Sequence, residues 1–267
     1  MYRFVTTVAA AGMALAAFAI PASAQDGTPS QLDAIIAAGK IVVATSFSTP
    51  PYGTTDANMQ PQGFDIALAT LIARDLGVSV EFKDVASAAR IPSLTASEVD
   101  IVISSFGITA ERAKTVMYSN SIYVDTQTII SPKEKTFNSY EDLVGKNIGV
   151  TRGTTNDTLI TANALPGTNI LRFDDAAGGN QALFSGQVDG LVSGTAAAFA
   201  ITSQSDAYHG NFAMRSSPMG VGVRQGEFEL LRWLNTEIML LWNSGELQAT
   251  QKQWIGSVNP DLPAYWF

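Results

Sequence analysis

The stretch Asp100-Ile-Val-Ile-Ser104-Ser105-Phe106-Gly107-Ile108-Thr109-Ala110-Glu111-Arg112 brings two serine hydroxyls, a glycine and an arginine into close succession. The apolar run 101–103 reads as a strand buried on both faces, so the loop after it leaves the carboxyl end of a parallel sheet, where ligands bind in open α/β folds. Thr109 then caps a new helix, with Glu111 in its first turn. Free N–H groups at a helix start favour negative charge, and the Arg112 guanidinium adds a two-pronged hydrogen bond suited to a carboxylate. The alternative is a surface arginine paired with Glu111 or a neighbour.

Other chemistries have little to build on. The one histidine, His209, lies in a polar stretch beside Gly210 and Asn211 and reads as a surface residue, which leaves serine–histidine catalysis without a base. There is no cysteine, so disulfides and thiolate metal sites are excluded, and no metal or cofactor is implied. A net charge of −8 argues against a nucleic-acid partner, whose footprint would be basic.

The elements that must position these residues alternate as in a parallel sheet with helices on its faces. Ser30 and Asp33 cap a helix that stops at Gly39, followed by a strand over 41–45. Gly63-Phe64-Asp65 opens a helix in which Ile66, Leu68, Leu71, Ile72 and Leu76 recur at helical spacing up to Gly77. A strand over 78–82 follows, and Pro92 suits the first turn of a helix that leads to the 101–103 strand. A second set comprises strands over 128–131, 148–151, 170–173 and 191–193, with helices near 139–144, after Thr155 and over 181–184. The 139–144 helix rests on a capping pattern from Ser139 to Asp142. An amphipathic helix over 228–242 ends at Gly245 and is expected to return to the first set, with Trp254 and Trp266 as core or docking residues.

The two sets share a signature. Leu94-Thr-Ala-Ser-Glu-Val99-Asp100-Ile-Val-Ile-Ser104 and Leu183-Phe-Ser-Gly-Gln-Val188-Asp189-Gly-Leu-Val-Ser193 carry Leu, Val-Asp and Ser at the same offsets. Each is a helix end, a tight turn and a strand. The pattern describes two α/β lobes of similar build, each delivering a serine at a strand end, with a binding site between them.

The chain begins as an exported one. Arg3, the apolar run 4–20 and Pro21-Ala22-Ser23-Ala24 match the regions of a secretory signal peptide cleaved after Ala24, so that mature protein starts at Gln25.

Taken in order, Pro50-Pro51-Tyr52, Gly63-Phe64-Asp65, Arg90-Ile-Pro-Ser-Leu94, Val99-Asp100, the 104–112 stretch, Tyr118-Ser119, Glu141-Asp-Leu-Val-Gly145-Lys146, Gly149-Val-Thr-Arg-Gly153-Thr154-Thr155, Gly186-Gln-Val-Asp189 and Trp254-Ile-Gly256 resemble one family. It is the bacterial extracellular solute-binding proteins of the polar amino-acid type, family 3, the periplasmic receptors of ABC transporters. The likeness covers nearly all of the mature chain. It implies a type II periplasmic-binding-protein fold: two α/β lobes, each a mixed, mostly parallel sheet flanked by helices, joined by a two-strand hinge. Lobe 1 would comprise 25–124 and 217–267, and lobe 2 would comprise 125–216. Ligand is clamped by hinge closure, a motion known for periplasmic binding proteins as a class. The partners implied are a small carboxylate, an amino acid or analogue, and an inner-membrane permease, with the receptor a monomer in the periplasm.

Carried over by position, Arg112 would grip the ligand α-carboxylate with Ser104, Ser105 and the Gly107 backbone. Thr155 and the Gly153 region would donate from lobe 2, beside Ser193 and Gly194, and Thr49 belongs to the loop before Tyr52. Two departures stand out. Where amino-acid binders of the family hold the ligand ammonium with an aspartate, this chain has Gly194. Either the ligand lacks an α-amine, or another carboxylate such as Asp174 or Asp175 meets it. And where some relatives present a large side-chain platform, this chain has Ala86-Ser87-Ala88-Ala89, which leaves Phe47, Tyr52 or Phe106 to serve. Arg90 and Arg152 also fall near the cleft, where further positive charge would favour a second carboxylate. A cyclohexadienyl dehydratase-like enzyme and a ligand-sensing module are the rival readings.

Overall fold

The computed structural model describes Met1 and residues 29–258; the leader with its Ala24 cleavage site, and Trp266, lie outside the described residues. Along the chain run α1 (Gln31–Ala38), β1 (Lys40–Thr45), the short strands β2 (Thr54–Thr55) and β3 (Pro61–Gln62), α2 (Phe64–Leu76), β4 (Ser79–Asp84), α3 (Arg90–Thr95), β5 (Ile101–Val102) and β6 (Val116–Pro132). There follow β7 (Asn147–Thr151), α4 (Thr155–Asn163), β8 (Asn169–Phe173), α5 (Ala176–Phe184), β9 (Gly190–Gly194), α6 (Thr195–Thr202), β10 (Tyr208–Arg224), α7 (Phe228–Ser244) and α8 (Glu246–Ile255).

One sheet threads the molecule in the order β4-β1-β5-β10-β6-β9-β7-β8. In the first lobe β1 runs parallel to β4 and β5; in the second, β7 runs parallel to β8 and β9. The two long strands β6 and β10 pair antiparallel and belong to both lobes: Gly222 of β10 meets Val102 of β5, whereas 127–130 of β6 pair with 191–194 of β9. The resemblance had implied such crossing strands, but local pattern had located only 128–131 of β6 and nothing of β10. Their burial alternates irregularly because each leaves one core and enters another, so no single apolar face repeats.

The first-lobe core joins Ile41, Val43, Ile101 and Ile103 to Phe64, Leu68 and Ile72 of α2 and to Leu230, Leu234, Ile238 and Leu241 of α7. The C-terminal helices thus return to the first lobe, and Trp254 packs partly buried against that core. Two smaller clusters flank the second-lobe sheet, around Ile148 and Val150 and around Leu183 and Leu191. Ser30 and Asp33 form the expected capping box of α1.

Two expected helices are no more than three-residue 3-10 turns, Arg112–Lys114 and Glu141–Leu143. After Thr109 the chain has no room for a longer helix, since β6 begins at Val116; Thr109 Oγ1 still accepts from the Arg112 N–H at 3.2 Å. At the other turn Asp142 Oδ2 accepts from the Asn138 and Ser139 N–H groups, a cap with no helix behind it.

The repeated signature has a common physical basis. The Asp100 N–H donates to the Val42 carbonyl while its Oδ2 accepts from the Val42 N–H; the Asp189 N–H and Oδ2 do the same with Asn147. Each aspartate therefore starts its strand by closing a ring against the neighbouring one. The turn before it carries a positive φ, at Ser97 (59°) in one lobe and Gly186 (74°) in the other. Asp189 is therefore structural, and it also binds Lys135 at 2.7 Å. Asp100→Ala and Asp189→Ala each strand a backbone N–H in place of a charged hydrogen bond. Urea denaturation should show each variant losing about 1.5–3 kcal/mol, with unchanged m.

Candidate functional site

The carboxyl ends of the first-lobe strands face the amino ends of second-lobe helices across β6 and β10, and a cavity of about 60 Å³ lies between them. Thr49, Tyr52, Ser87, Arg90, Ser104 and Ser105 line it from the first lobe, and Thr151, Thr154, Thr155, Asn156, Ala176, Ser193, Gly194 and Ala197 from the second. Asp125, Gln127 and Met219 line it from the crossing strands. Of the residues singled out in the sequence, Arg112, Gly107, Gly153, Phe47 and Arg152 are not among this lining.

Arg90, 2% exposed, is the cation in the wall. Its Nε donates to the Ser87 carbonyl (2.9 Å), Nη1 to the Ser104 carbonyl and Nη2 to the Gly153 carbonyl (3.3 Å). Arg112 donates from Nη1 to the Gly107 carbonyl and from Nη2 to that same Gly153 carbonyl, both at 2.8 Å. Both guanidiniums lie over the Phe106 ring, 5.2 and 5.0 Å from its centre, where the negative π-face attracts a cation. Burial, and after it the Arg112 charge, pulls Arg90 down to about 9, which leaves it a cation at neutral pH. Arg112 does not pair with Glu111, which binds Lys114 instead.

Phe106 is 1% exposed and tilts against Tyr118, so it is a floor under the two arginines. Tyr52 is 2% exposed, stacks on Tyr123 with centroids 5.2 Å apart, and offers only its hydroxyl end to polar partners. Phe47 is half-buried and held by its N–H on Asp84 Oδ1. Arg152 is largely exposed and pairs with Asp174, and Asp175 caps α5; neither aspartate lines the cavity. The small residues 86–89 have a packing reason. Gly153 has φ 72°, and a Cβ there would stand 2.7 Å from the Ala88 Cα, so this second-lobe turn lies directly on the first lobe.

Thr154, not Thr155, caps α4, by accepting from the Asp157 N–H. Thr155 is buried and its Oγ1 accepts from Gln127 Nε2 at 3.1 Å, which turns it toward the crossing strands. Sequence reasoning missed Asp125 and Gln127. Asp125 is a buried carboxylate that accepts from the Tyr52 hydroxyl (2.6 Å) and from Thr195 N and Oγ1 (3.0 and 2.9 Å). Burial raises its pKa, opposed by the Tyr52 and Thr195 hydrogen bonds. A carboxylate within a strand that pattern had not located gave no local signal.

The 104–112 turn is fixed from beneath. Ser105 takes φ 44°, rare for a residue with a Cβ, and Asp65 Oδ2 accepts its N–H at 2.8 Å while Arg90 holds the Ser104 carbonyl.

A model of the bacterial extracellular solute-binding proteins, family 3, matches residues 41–257. The chain belongs to that family. The arginine-binding protein 1 of an Escherichia coli ABC transporter is 29% identical over 82% of this chain and 91% of its own. The glutamine-binding protein of a Bacillus subtilis ABC transporter is 28% identical over 81% of each. A crystal structure of an ancestral amino-acid-binding protein, described as a precursor of cyclohexadienyl dehydratase, superposes with a TM-score of 0.80 at 32% identity, covering 85% of this chain and all of that one. The fold is the two-lobed one described above.

Burial lifts Asp65 from 3.8 to about 7, against the Ser105 N–H and the Arg90 charge that pull it down. With its pKa higher in the folded than in the unfolded chain, this carboxyl binds more protons when folded, so its contribution to stability falls as pH rises from about 4 to 7. Stability measured by urea denaturation across that range should decline more steeply in the native protein than in Asp65→Asn, by up to about 1.4 kcal/mol per pH unit.

Proposed function

We propose that the protein is the exported substrate-binding component of an ABC importer, and that it captures a free amino acid between its lobes and delivers it to an inner-membrane permease. One observation carries this reading beyond family membership: two guanidiniums, Arg90 and Arg112, converge on one backbone oxygen of the opposite lobe, the Gly153 carbonyl. A neutral carbonyl is a weaker acceptor than a carboxylate, whose two oxygens suit a planar cation. As the lobes part, Gly153 leaves with the second lobe and both Nη2 groups become free. A ligand carboxylate then takes its place, with Ser104 and Ser105 beside it and Thr155 approaching from the second lobe.

A 60 Å³ cavity is well below the roughly 300 Å³ or more of small-molecule sites, so a ligand enters only by lobe separation. The hinge for that motion is where β6 and β10 run between lobes, and we take lobe 1 as 25–124 with 217–267 and lobe 2 as 125–216. Binding without catalysis accords with the names of the relatives. A leader cleaved after Ala24 would place a monomeric receptor in the periplasm.

Thermal-shift titration with the twenty L-amino acids should find at least one that raises the melting temperature in proportion to log concentration. A flat response to all of them rejects amino-acid capture. Calorimetric titration of Arg112→Ala with the amino acid of largest shift should show at least about tenfold weaker binding, the loss of one charge-assisted contact, at a near-native melting temperature. Arg90→Ala should instead lower the melting temperature of the unliganded protein, because it strips partners from the buried Ser104 carbonyl and the half-buried Ser87 carbonyl. Gly153→Ala should disfavour closure, read as a larger radius of gyration by small-angle X-ray scattering with ligand present.

A further inference from the structure

At Gly194, where the family resemblance implies an ammonium-binding aspartate, there is no side chain, yet a carboxylate stands beside it. A Cβ built on Gly194 would come 1.7 Å from Asp125 Oδ2. The space that a side chain at 194 would occupy is therefore filled from the neighbouring strand, and the two residues exclude one another: with Asp125 present, position 194 admits only glycine.

Asp125 and Gln127 are two apart on β6 and so share a face of the strand. Both line the cavity, and they are 6% and 2% exposed. Gln127 Nε2 donates to the hydroxyls of Thr155 (3.1 Å) and Ser217 (3.0 Å), while its Oε1 is buried with no hydrogen-bond partner among the described residues. A buried acceptor without a donor is costly, and a ligand N–H is the group that would relieve it. Across the cavity stands a cation, Arg90, so the wall carries both signs of charge, as a zwitterion requires.

We propose that the crossing strand β6 itself supplies the cation subsite, with the Asp125 carboxylate and the Gln127 side-chain carbonyl receiving the protonated α-amine of the ligand. The inference rests on the amino-acid receptor reading above and specifies its amine site. It puts the amine contact on a crossing strand, at the hinge end of the second lobe. Asp125 is tied to the first lobe through the Tyr52 hydroxyl and to the second through Thr195 at the start of α6, so the amine meets an acceptor oriented by both. The ligand class is a primary amine bearing a carboxylate, in preference to the deaminated acid.

The test compares, by isothermal titration, the L-amino acid that gives the largest thermal shift with its deaminated analogue. For L-glutamine the analogue is glutaramic acid, and for L-arginine it is 5-guanidinopentanoic acid. The native protein should favour the amino acid at least about tenfold, and Asp125→Asn should erase most of that ratio. Because Asp125 also holds Tyr52 and Thr195, a relocated carboxylate guards against misreading a folding defect. Gly194→Asp alone should lose stability through collision with Asp125, whereas Asp125→Ser combined with Gly194→Asp should fold and regain the amine preference. Gln127→Met should lower the ratio by a smaller factor. If Asp125→Asn folds and keeps the full ratio, or if the relocated carboxylate folds without restoring it, the subsite is refuted while the receptor reading stands. If the native protein binds the deaminated acid as tightly as the amino acid, the subsite is again refuted and the protein is a carboxylate receptor. Absence of binding by any amino acid or deaminated acid overturns both.

Discussion

A guanidinium buried in the wall of the cleft organises the loops that make the site. Taking an arginine out of water costs several kcal/mol unless its donors are met, and Arg90 meets them with the carbonyls of Ser87, Ser104 and Gly153 and with the face of Phe106. Those carbonyls belong to two first-lobe loops and to one turn of the second lobe. Asp65 secures the same place from another side by holding the Ser105 N–H. The αL conformation of Ser105 persists because these contacts over-determine it, and the serine pair is thereby presented to the cavity without depending on a ligand to order it.

The second constraint is the sheet. Because β6 and β10 run through both lobes, the lobes stay joined along that pair, and the freedom left to them is to open and close about it, where the ladder is least regular. The register of the two strands shifts between Asn211 and Arg215 and again between Met219 and Gly222, on either side of the crossing. What holds the lobes shut is modest by comparison: Arg112 and Arg90 on one carbonyl, and the packing of Gly153 on Ala88. Strong connection through the backbone and exchangeable polar contact across the cleft is the combination that hinge closure demands.

Within a family united by fold, ligand choice resides in a few side chains. Here the charges in the cavity wall are Arg90 and Asp125, and the second of these lies on the strand beside Gly194. Paired strands place residues distant in sequence within a few ångströms, so a carboxylate on one strand can fill the volume left by glycine on the next.

Local signals carried much of the architecture. The capping box at Ser30, the helical spacing over 64–76 and the apolar run after Asp100 each reflect short-range rules of capping, periodicity and burial, and each element stands where those rules put it. The Val-Asp repeat foretold two similar halves because in each half the aspartate starts its strand with the same pair of hydrogen bonds to a neighbouring strand. Short-range rules failed where an element answers to two cores at once, as in β10, or where a cap is used without a helix, as at Asp142. The sequence alone thus determined the family, the alternating elements and the arginine-bearing loop. Only the tertiary structure decided that Arg90 joins the cavity wall, that Arg112 reaches across to Gly153, and that Asp125 stands in for a side chain at Gly194, since these depend on which strand lies beside which.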